Sequence, residues 1–235
     1  MSKKKIVVFS GSGISQESNI ETFRDVVDGL WYNHKVEDVA TLDGWKRDRE
    51  KVLGFYNDRR SQLPNVEPND AHKGLVCLEE EYDVIHVTQN VDNLFERAGA
   101  TNIIHLHGEL TKARSCMNPL AKPIDISYNN ISIGDKASDG SQLRPHIVFF
   151  AEFPFGVKEA YTAIDEADIL LIIGTSLQIT YTVTMLSSVN PKCKIYYIDP
   201  SPMTYLDNYG LKIEYIKEKA VKGVTELVNK LLNKK

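Results

Sequence analysis

Short apolar runs alternate along this chain with stretches of helical period. Residues 5–9 are the first run, and Ser10, Gly11, Ser12 and Gly13 turn away from it. Similar runs at 83–87, 102–106, 145–150, 168–173 and 193–198 read as buried strands, the most apolar being 168–173. Between them lie helical patterns. Residues 36–63 carry a stripe of Val52, Leu53, Phe55 and Tyr56. Asn69 or Asp70 is placed to cap a helix running to about Glu80, with Ala71, Leu75, Val76 and Leu78 on its apolar face. Helical pattern returns at 161–167 and 177–188, and at 220–232, where Val221, Val224, Leu227, Val228 and Leu231 share a face. Ser15 or Ser18 is placed to cap a helix holding Ile20 and Phe23, and Asp92 a short helix from Asn93 that Gly99 closes.

Strands alternating with helices predict an α/β fold, a mainly parallel Rossmann-like sheet with helices on both faces. Two stretches break the rhythm. Residues 110–143 are rich in Ser, Asn, Asp and Gly and carry Pro119 and Pro123, so they read as an irregular surface excursion. The expected division is one domain, 1–235, with a Rossmann-like part at 1–33, 68–113 and 145–235. A small inserted part spans 34–67 and 114–144, and the cleft between the two is the default binding site.

Composition narrows the class. The chain has 235 residues, 42% hydrophobic and 26% charged, as in ordinary globular proteins. A net charge of −4 provides no basic field for nucleic acid. The apolar runs are too short to span a bilayer, and the first reads as a strand, not a signal peptide. Cys77, Cys116 and Cys193 are odd in number and far apart. They suggest no disulfide framework, a reducing cytoplasm, and no Cys-x-x-Cys ligand set for structural zinc, so no metal is expected.

Candidate chemistry gathers at strand ends. Gln89, Asn90 and Asp92 follow the run at 83–87, and His105 and His107 close the run at 102–106. In an open parallel sheet such ends form the ligand crevice. Any one of these residues is equally a polar turn or a packed histidine; the cluster carries the functional reading. Gly11 and Gly13 can open a phosphate cradle, but Gln16 stands where the dinucleotide fingerprint has its third glycine. Gly174, Thr175 and Ser176 end another run, and Asp199, after the next, can accept from a ribose hydroxyl. Tyr56 and Arg59, three apart, suit a carboxylate, although a surface arginine beside a half-buried tyrosine has the same spacing.

Taken in order, these segments resemble the sirtuin family. Gly11-Ser12-Gly13-Ile14-Ser15, Glu17-Ser18-Asn19-Ile20 and Thr22-Phe23-Arg24 resemble its NAD signature. Thr88-Gln89-Asn90-Val91-Asp92 with His105-Leu106-His107-Gly108 resembles its catalytic motifs, and Gly174-Thr175-Ser176 its later dinucleotide motif. Bacterial class III sirtuins are most similar, through Gly29-Leu30-Trp31, residues 36–41 and Phe55-Tyr56-Asn57 with Arg59-Arg60. The resemblance implies an NAD-dependent protein-lysine deacylase, acting on acetyl-, succinyl- or malonyl-lysine. Nicotinamide leaves, the acyl oxygen of the lysine attacks the ribose carbon, and the acyl group ends on ADP-ribose. It implies a monomer acting on acylated lysine side chains of proteins.

By the same resemblance His107 is the general base and His105 structural. Asp92, with Ile14 and Ile20, makes the nicotinamide pocket, while Asn90 and Gln89 meet the ribose. The pyrophosphate rests on the amides from Gly11 to Ser15, steadied by Thr175 and Ser176. Phe23 and Arg24 order a covering loop, and Asp199 and Ala220 complete the cofactor site. Tyr56 and Arg59 read an acidic acyl group, and Phe150, Ala151 and Glu152 form a strand-like rim for the peptide. The sequence departs from the family at Ser12 for alanine, Asn19 for glycine, Ala151 for glycine and Asp199 for asparagine. Of the four zinc cysteines only Cys116 remains, which leaves that loop to packing or to nothing. Two other readings share the cleft: NAD hydrolysis or ADP-ribosyl transfer, and NAD binding without catalysis.

Overall fold

The computed structural model describes residues 3–20, 34–202, 206 and 209–232. In chain order the regular elements are β1 (Lys5–Ser10), α1 (Val36–Val39), α2 (Leu42–Arg47), α3 (Arg49–Gln62), α4 (Asp70–Cys77), β2 (Asp83–Thr88), α5 (Leu94–Ala98), β3 (Ile103–His105) and β4 (Gly108–Ser115). They continue with β5 (Ile124–Asp125), β6 (Leu143–Ile147), α6 (Val157–Asp165), β7 (Ile169–Ile173), α7 (Thr180–Ser187), β8 (Lys194–Ile198), β9 (Ile213–Ile216) and α8 (Ala220–Leu231).

The main sheet has six strands in the order β3-β2-β1-β7-β8-β9, every neighbouring pair parallel. Side chains alternate across it, as the strand period demands. Ile6 and Val8 of β1 face a core with Ala71 and Leu75 of α4 and Val224, Leu227 and Val228 of α8. Val7 and Phe9 face the other core, with Ala160, Ala163 and Ile164 of α6 and Met185 and Leu186 of α7. Each such fully buried aliphatic contributes ~1.5–3 kcal/mol. The strand order reverses at β1, which has β2 on one side and β7 on the other. That switch point opens a crevice at the carboxyl ends.

Residues 36–63 form three helices because polar caps interrupt them. Thr41 accepts from the Gly44 amide at 3.0 Å and Asp48 from Lys51 at 2.9 Å. Asn69 caps α4 from Ala71 at 3.0 Å. A third core joins Val52, Leu53, Phe55 and Tyr56 of this helical unit to Leu110, Ala113, Ile147 and Phe149.

Several expectations are corrected. Residues 110–143 are not wholly irregular, since β4 runs to Ser115 and pairs antiparallel with β5 and β6. The run at 145–150 is strand only to Ile147; beyond it, residues 149–152 make a turn closed by the Glu152 amide on the Phe149 carbonyl at 2.9 Å. Strand β9 lies in a stretch with no predicted element. Helix α7 begins at Thr180 and not at Leu177, whose φ of 52° is incompatible with a helix. The expected helix through Phe23, with Thr22, Arg24, Gly29, Leu30 and Trp31, lies outside the described residues. Among those, Ser12–Ile14 and Gln16–Ser18 are single 3₁₀ turns, and Asn19 follows at φ 62°.

The loop around Cys116 is held by neither packing alone nor nothing. Ser115 Oγ donates to Asp139 Oδ2 at 2.6 Å, lies 2.8 Å from Ser141 Oγ, and accepts from the amides of Met117 and Asn118 at 3.0 and 2.8 Å. Gln142 adds bonds to the Ser132 carbonyl at 2.9 Å and from the Gly134 amide at 2.8 Å.

Candidate functional site

The glycine turn after β1 and the turn after β7 touch at the switch point. Gly11 donates to the Ile173 carbonyl at 3.0 Å and Gly13 to the Gly174 carbonyl at 2.8 Å. A Cβ on Gly13 would lie 2.6 Å from Gly174 Cα, so no side chain fits between the two turns. The amides of Ile14 and Ser15 donate back to Gly11 and Ser12. The expected row of anion-binding amides from Gly11 to Ser15 is therefore largely spent inside the protein. Ser12 and Ser176 are half-buried beside these turns. Ile14 is fully buried in the core beneath the turn. Ile20 is half-buried, its amide donating to the Ser15 carbonyl at 3.3 Å.

Across from this turn, β2 delivers the carboxamide and carboxylate. Asn90 Nδ2 donates to Ser15 Oγ at 2.9 Å, and Ser15 Oγ donates to Asp92 Oδ2 at 2.9 Å. The Asn90 amide donates to Thr88 Oγ1 at 3.0 Å. Asp92 Oδ1 accepts from Leu94 at 3.1 Å, which makes it the side chain that begins α5. Burial pushes the Asp92 carboxyl up, and the Leu94 amide and Ser15 hydroxyl pull it back. A buried chain of Ser15, Asn90 and Asp92 thus lines the crevice.

The two histidines take different roles. His105 Nδ1 lies 3.1 Å from the Asn90 carbonyl and its Nε2 2.7 Å from Glu96. Burial would lower its pKa, but the Glu96 carboxylate more than compensates and holds it above the usual histidine value. His107 Nδ1 lies 2.9 Å from the Gln89 carbonyl and its Nε2 2.6 Å from the Tyr181 hydroxyl. Burial pulls its pKa down to about 4 against the Gln89 carbonyl, so the ring is neutral at pH 7. A carbonyl accepts only, so Nδ1 carries the proton and Nε2 is the basic atom.

Gln89 Oε1 accepts from Thr175 Oγ1 at 2.7 Å, and Tyr197 donates to the Thr175 carbonyl at 2.6 Å. Asp199, buried at the end of β8, accepts from the Ser201 amide at 2.8 Å. Ala220 opens α8, and Glu17 beside the glycine turn accepts from the Val221 amide at 2.8 Å, so this helix begins at the crevice. Phe23 and Arg24 lie outside the described residues.

The second cluster lies on the helical unit. Tyr56 is 4% exposed, its ring stacked on Phe149 at 5.9 Å. Burial raises its hydroxyl pKa to about 12, while the charges of Arg59 and Arg144 oppose the rise. The Arg59 guanidinium sits 5.7 Å over the Phe55 ring. The expected rim is corrected from strand to turn. Ala151 has φ 68°, and Phe150, exposed at the turn, donates its amide to the Ala40 carbonyl at 2.8 Å. The Glu152 carboxylate is engaged by Arg114 at 2.9 Å, Arg144 at 2.9 Å and the Phe149 amide at 2.8 Å, so its side chain braces the turn.

Sequence reasoning missed Tyr181, the second role of the cap residue Asn69, and a cluster of ion-ligand type. Asn69 Nδ2 donates to the Ile14 carbonyl at 2.8 Å and to Ser18 Oγ at 3.0 Å, fixing the glycine turn from α4. Among the described residues, Glu96, His105 and Glu109 bring ligand atoms within 4.8 Å of one another. Their charges are already paired, His105 with Glu96 and Lys112 with Glu109 at 2.7 Å.

Comparison with known proteins agrees with this geometry. The Sir2 family profile matches residues 11–181. A Helicobacter pylori protein named NAD-dependent protein deacylase is 45% identical over 97% of this chain and 98% of its own length. Proteins of the same name from Bacteroides thetaiotaomicron and Aggregatibacter actinomycetemcomitans are 43% and 48% identical, over 97% and 84% of this chain and 98% and 94% of theirs. A solved Sir2 homologue in complex with ADP-ribose superposes with TM-score 0.85 at 31% identity, covering 99% of this chain and 95% of that one. A Sir2 homologue–NAD complex gives 0.83 at 31%, covering 98% and 90%.

Proposed function

The chain belongs to the Sir2 family, and from that membership we infer that it is an NAD-dependent protein deacylase. We propose that it removes succinyl and malonyl groups from lysine at least as well as acetyl groups. NAD supplies a ribose–nicotinamide bond that breaks and an ADP-ribose that accepts the acyl group. The donor set suits that partner. Hydroxyls of Ser12, Thr175 and Ser176 match phosphate oxygens, and the amides of Asn90 and Gln89 match ribose hydroxyls. The Asp92 carboxylate matches an amide N–H of nicotinamide. Phe23, Arg24, Asp199 and Ala220 complete the proposed cofactor site, Ile14 and Ile20 supporting it. The observation that supports the catalytic reading is the neutral His107, whose basic Nε2 faces away from Gln89 and meets the Tyr181 hydroxyl. A base of that kind contributes about 10²–10⁴ in rate.

Acyl choice rests on Tyr56 and Arg59. A carboxylate entering a buried channel loses its water, at a cost of several kcal/mol unless it is paired. The Arg59 charge acts on the buried Tyr56 hydroxyl, so a phenol and a guanidinium share that environment. Phe150 and Ala151 offer backbone to the peptide, with Glu152 fixing the turn. Arg59→Met is expected to cost about 2–5 kcal/mol in kcat/KM for a succinyl-lysine peptide and little for the same peptide acetylated. Equal losses on both would assign Arg59 to support of the small part. We further propose that the enzyme is a cytoplasmic monomer that binds no nucleic acid and is built as one domain with its small part at 34–67 and 114–144. No described helix is long and apolar enough to cross a membrane.

A further inference from the structure

We propose that Tyr181 is a proton relay between His107 and a ribose hydroxyl of NAD, the substrate hydroxyl that must lose its proton to attack the intermediate, so that the base acts through the tyrosine. The inference rests on the deacylase reading above and concerns how its base is reached. His107 Nδ1 faces the Gln89 carbonyl at 2.9 Å, which leaves Nε2 as the basic atom. That atom is covered by the Tyr181 hydroxyl at 2.6 Å, in the geometry of an O–H donating to a lone pair. A substrate hydroxyl reaches Nε2 only if the tyrosine leaves or conducts.

The surroundings favour conduction. Gln89 serves both residues: its carbonyl meets His107 Nδ1 at 2.9 Å, and its side chain, held by Thr175 at 2.7 Å, acts on the Tyr181 hydroxyl against its burial. The approach to α7 is fixed by two left-handed residues, Gly174 at φ 58° and the buried Leu177 at φ 52°. A non-glycine residue in that region persists only where its surroundings enforce it. Burial raises the Tyr181 pKa far above neutrality, so the phenol keeps a proton to pass on. In the transfer, the O–H bond of the substrate hydroxyl breaks and its proton binds Tyr181 Oη. At the same time the Tyr181 proton moves to His107 Nε2. The tyrosine ends neutral and His107 ends as imidazolium, while the ribose oxygen uses the freed electron pair to bond to the acyl carbon of the intermediate, whose C=N or C–O π pair moves onto its own heteroatom.

Tyr181→Phe keeps the ring and removes the conductor. Nicotinamide release precedes the need for a base, so exchange of labelled nicotinamide into NAD is the control reaction. The expected result is a fall of at least about tenfold in single-turnover formation of acyl-ADP-ribose, with exchange and calorimetric NAD affinity within about threefold of wild type. In the ligand-free protein, nitrogen NMR is expected to show His107 protonated at Nδ1 and bare at Nε2. Product formation equal to or faster than wild type would overturn the relay and make Tyr181 a plug that the cofactor displaces. An equal fall in exchange and product formation would overturn it in favour of pocket shape. A wild-type protein that binds NAD but forms no acyl product would overturn the deacylase reading and the relay with it. Activity surviving in His107→Ala would do the same to the assignment of the base.

Discussion

At residue 151 the backbone adopts an angle that suits glycine better than the alanine present. Ala151 has φ 68° and follows Phe150 in a turn closed between Glu152 and Phe149. The third position of such a turn favours glycine, and an L-residue there costs about 1–2 kcal/mol. Ala151→Gly is therefore expected to stabilise the protein by up to ~1 kcal/mol, read as a higher urea midpoint at unchanged m-value. A lower midpoint would mean that the methyl group packs favourably. The sequence marks Ala151 as a departure from glycine, and the strain lies in its backbone. Asn19, at φ 62°, is legible as the residue type that tolerates that region. Residues whose burial depends on distant partners are not legible in this way. Arg60 is fully buried, bonded to the Leu110 carbonyl and to Asn57, yet an arginine on a helix reads as solvent-facing until its acceptors are known.

At the scale of elements, the brace of Arg114, Glu152 and Arg144 locks β4 and β6 to the 149–152 turn. Burial raises the Glu152 pKa, but bonds from Arg144, the Phe149 amide and Arg114 outweigh it and hold the carboxyl below the usual range. A depressed carboxyl pKa stabilises the fold at neutral pH, and that contribution disappears as pH falls through the folded value. Glu152→Gln leaves two buried guanidinium groups underpaired and is expected to cost about 3 kcal/mol at pH 7. The gap from wild type should narrow in acid, when wild type protonates the same group. Denaturant melts of both proteins at pH 7 and in acid check this, and a gap independent of pH would assign the loss to shape alone. The central strands β1, β2, β7 and β8 were readable because they are largely buried on both faces and hence mostly apolar. Strand β4, with its Lys112, Arg114 and Ser115, offers no such run, since its charged residues find partners in β6 and beyond. Strand β9 is a short, half-exposed edge and leaves a weak signature for the same reason.

For the whole molecule, the crevice follows from topology: the turns after β1 and β7 meet where strand order reverses, with the end of β2 beside them. The tyrosine over His107 was missed because it stands 74 residues away on α7. Metal content is the global test of the small part. The purified enzyme is expected to carry less than one zinc per chain and to keep its melting temperature in EDTA, because Cys116 has no neighbouring thiol in the sequence. Stoichiometric zinc in elemental analysis would contradict this, and Glu96, His105 and Glu109 would then be the first ligands to substitute.

The bonding of Ser115 to Asp139, Ser141 and the following amides has a consequence for the conditions this enzyme survives. A zinc–thiolate knuckle opens when peroxide oxidises its sulfurs, and it closes again only where free zinc and a reductant are present. The bonds of the Ser115 knuckle run between hydroxyls, amides and a carboxylate, so none of them is made by a sulfur that peroxide can oxidise. Its weak point is acid. Bonds from Ser115 and Ser141 hold the Asp139 carboxyl below its usual range, so the knuckle keeps its strength at neutral pH and loosens as the carboxyl takes up a proton.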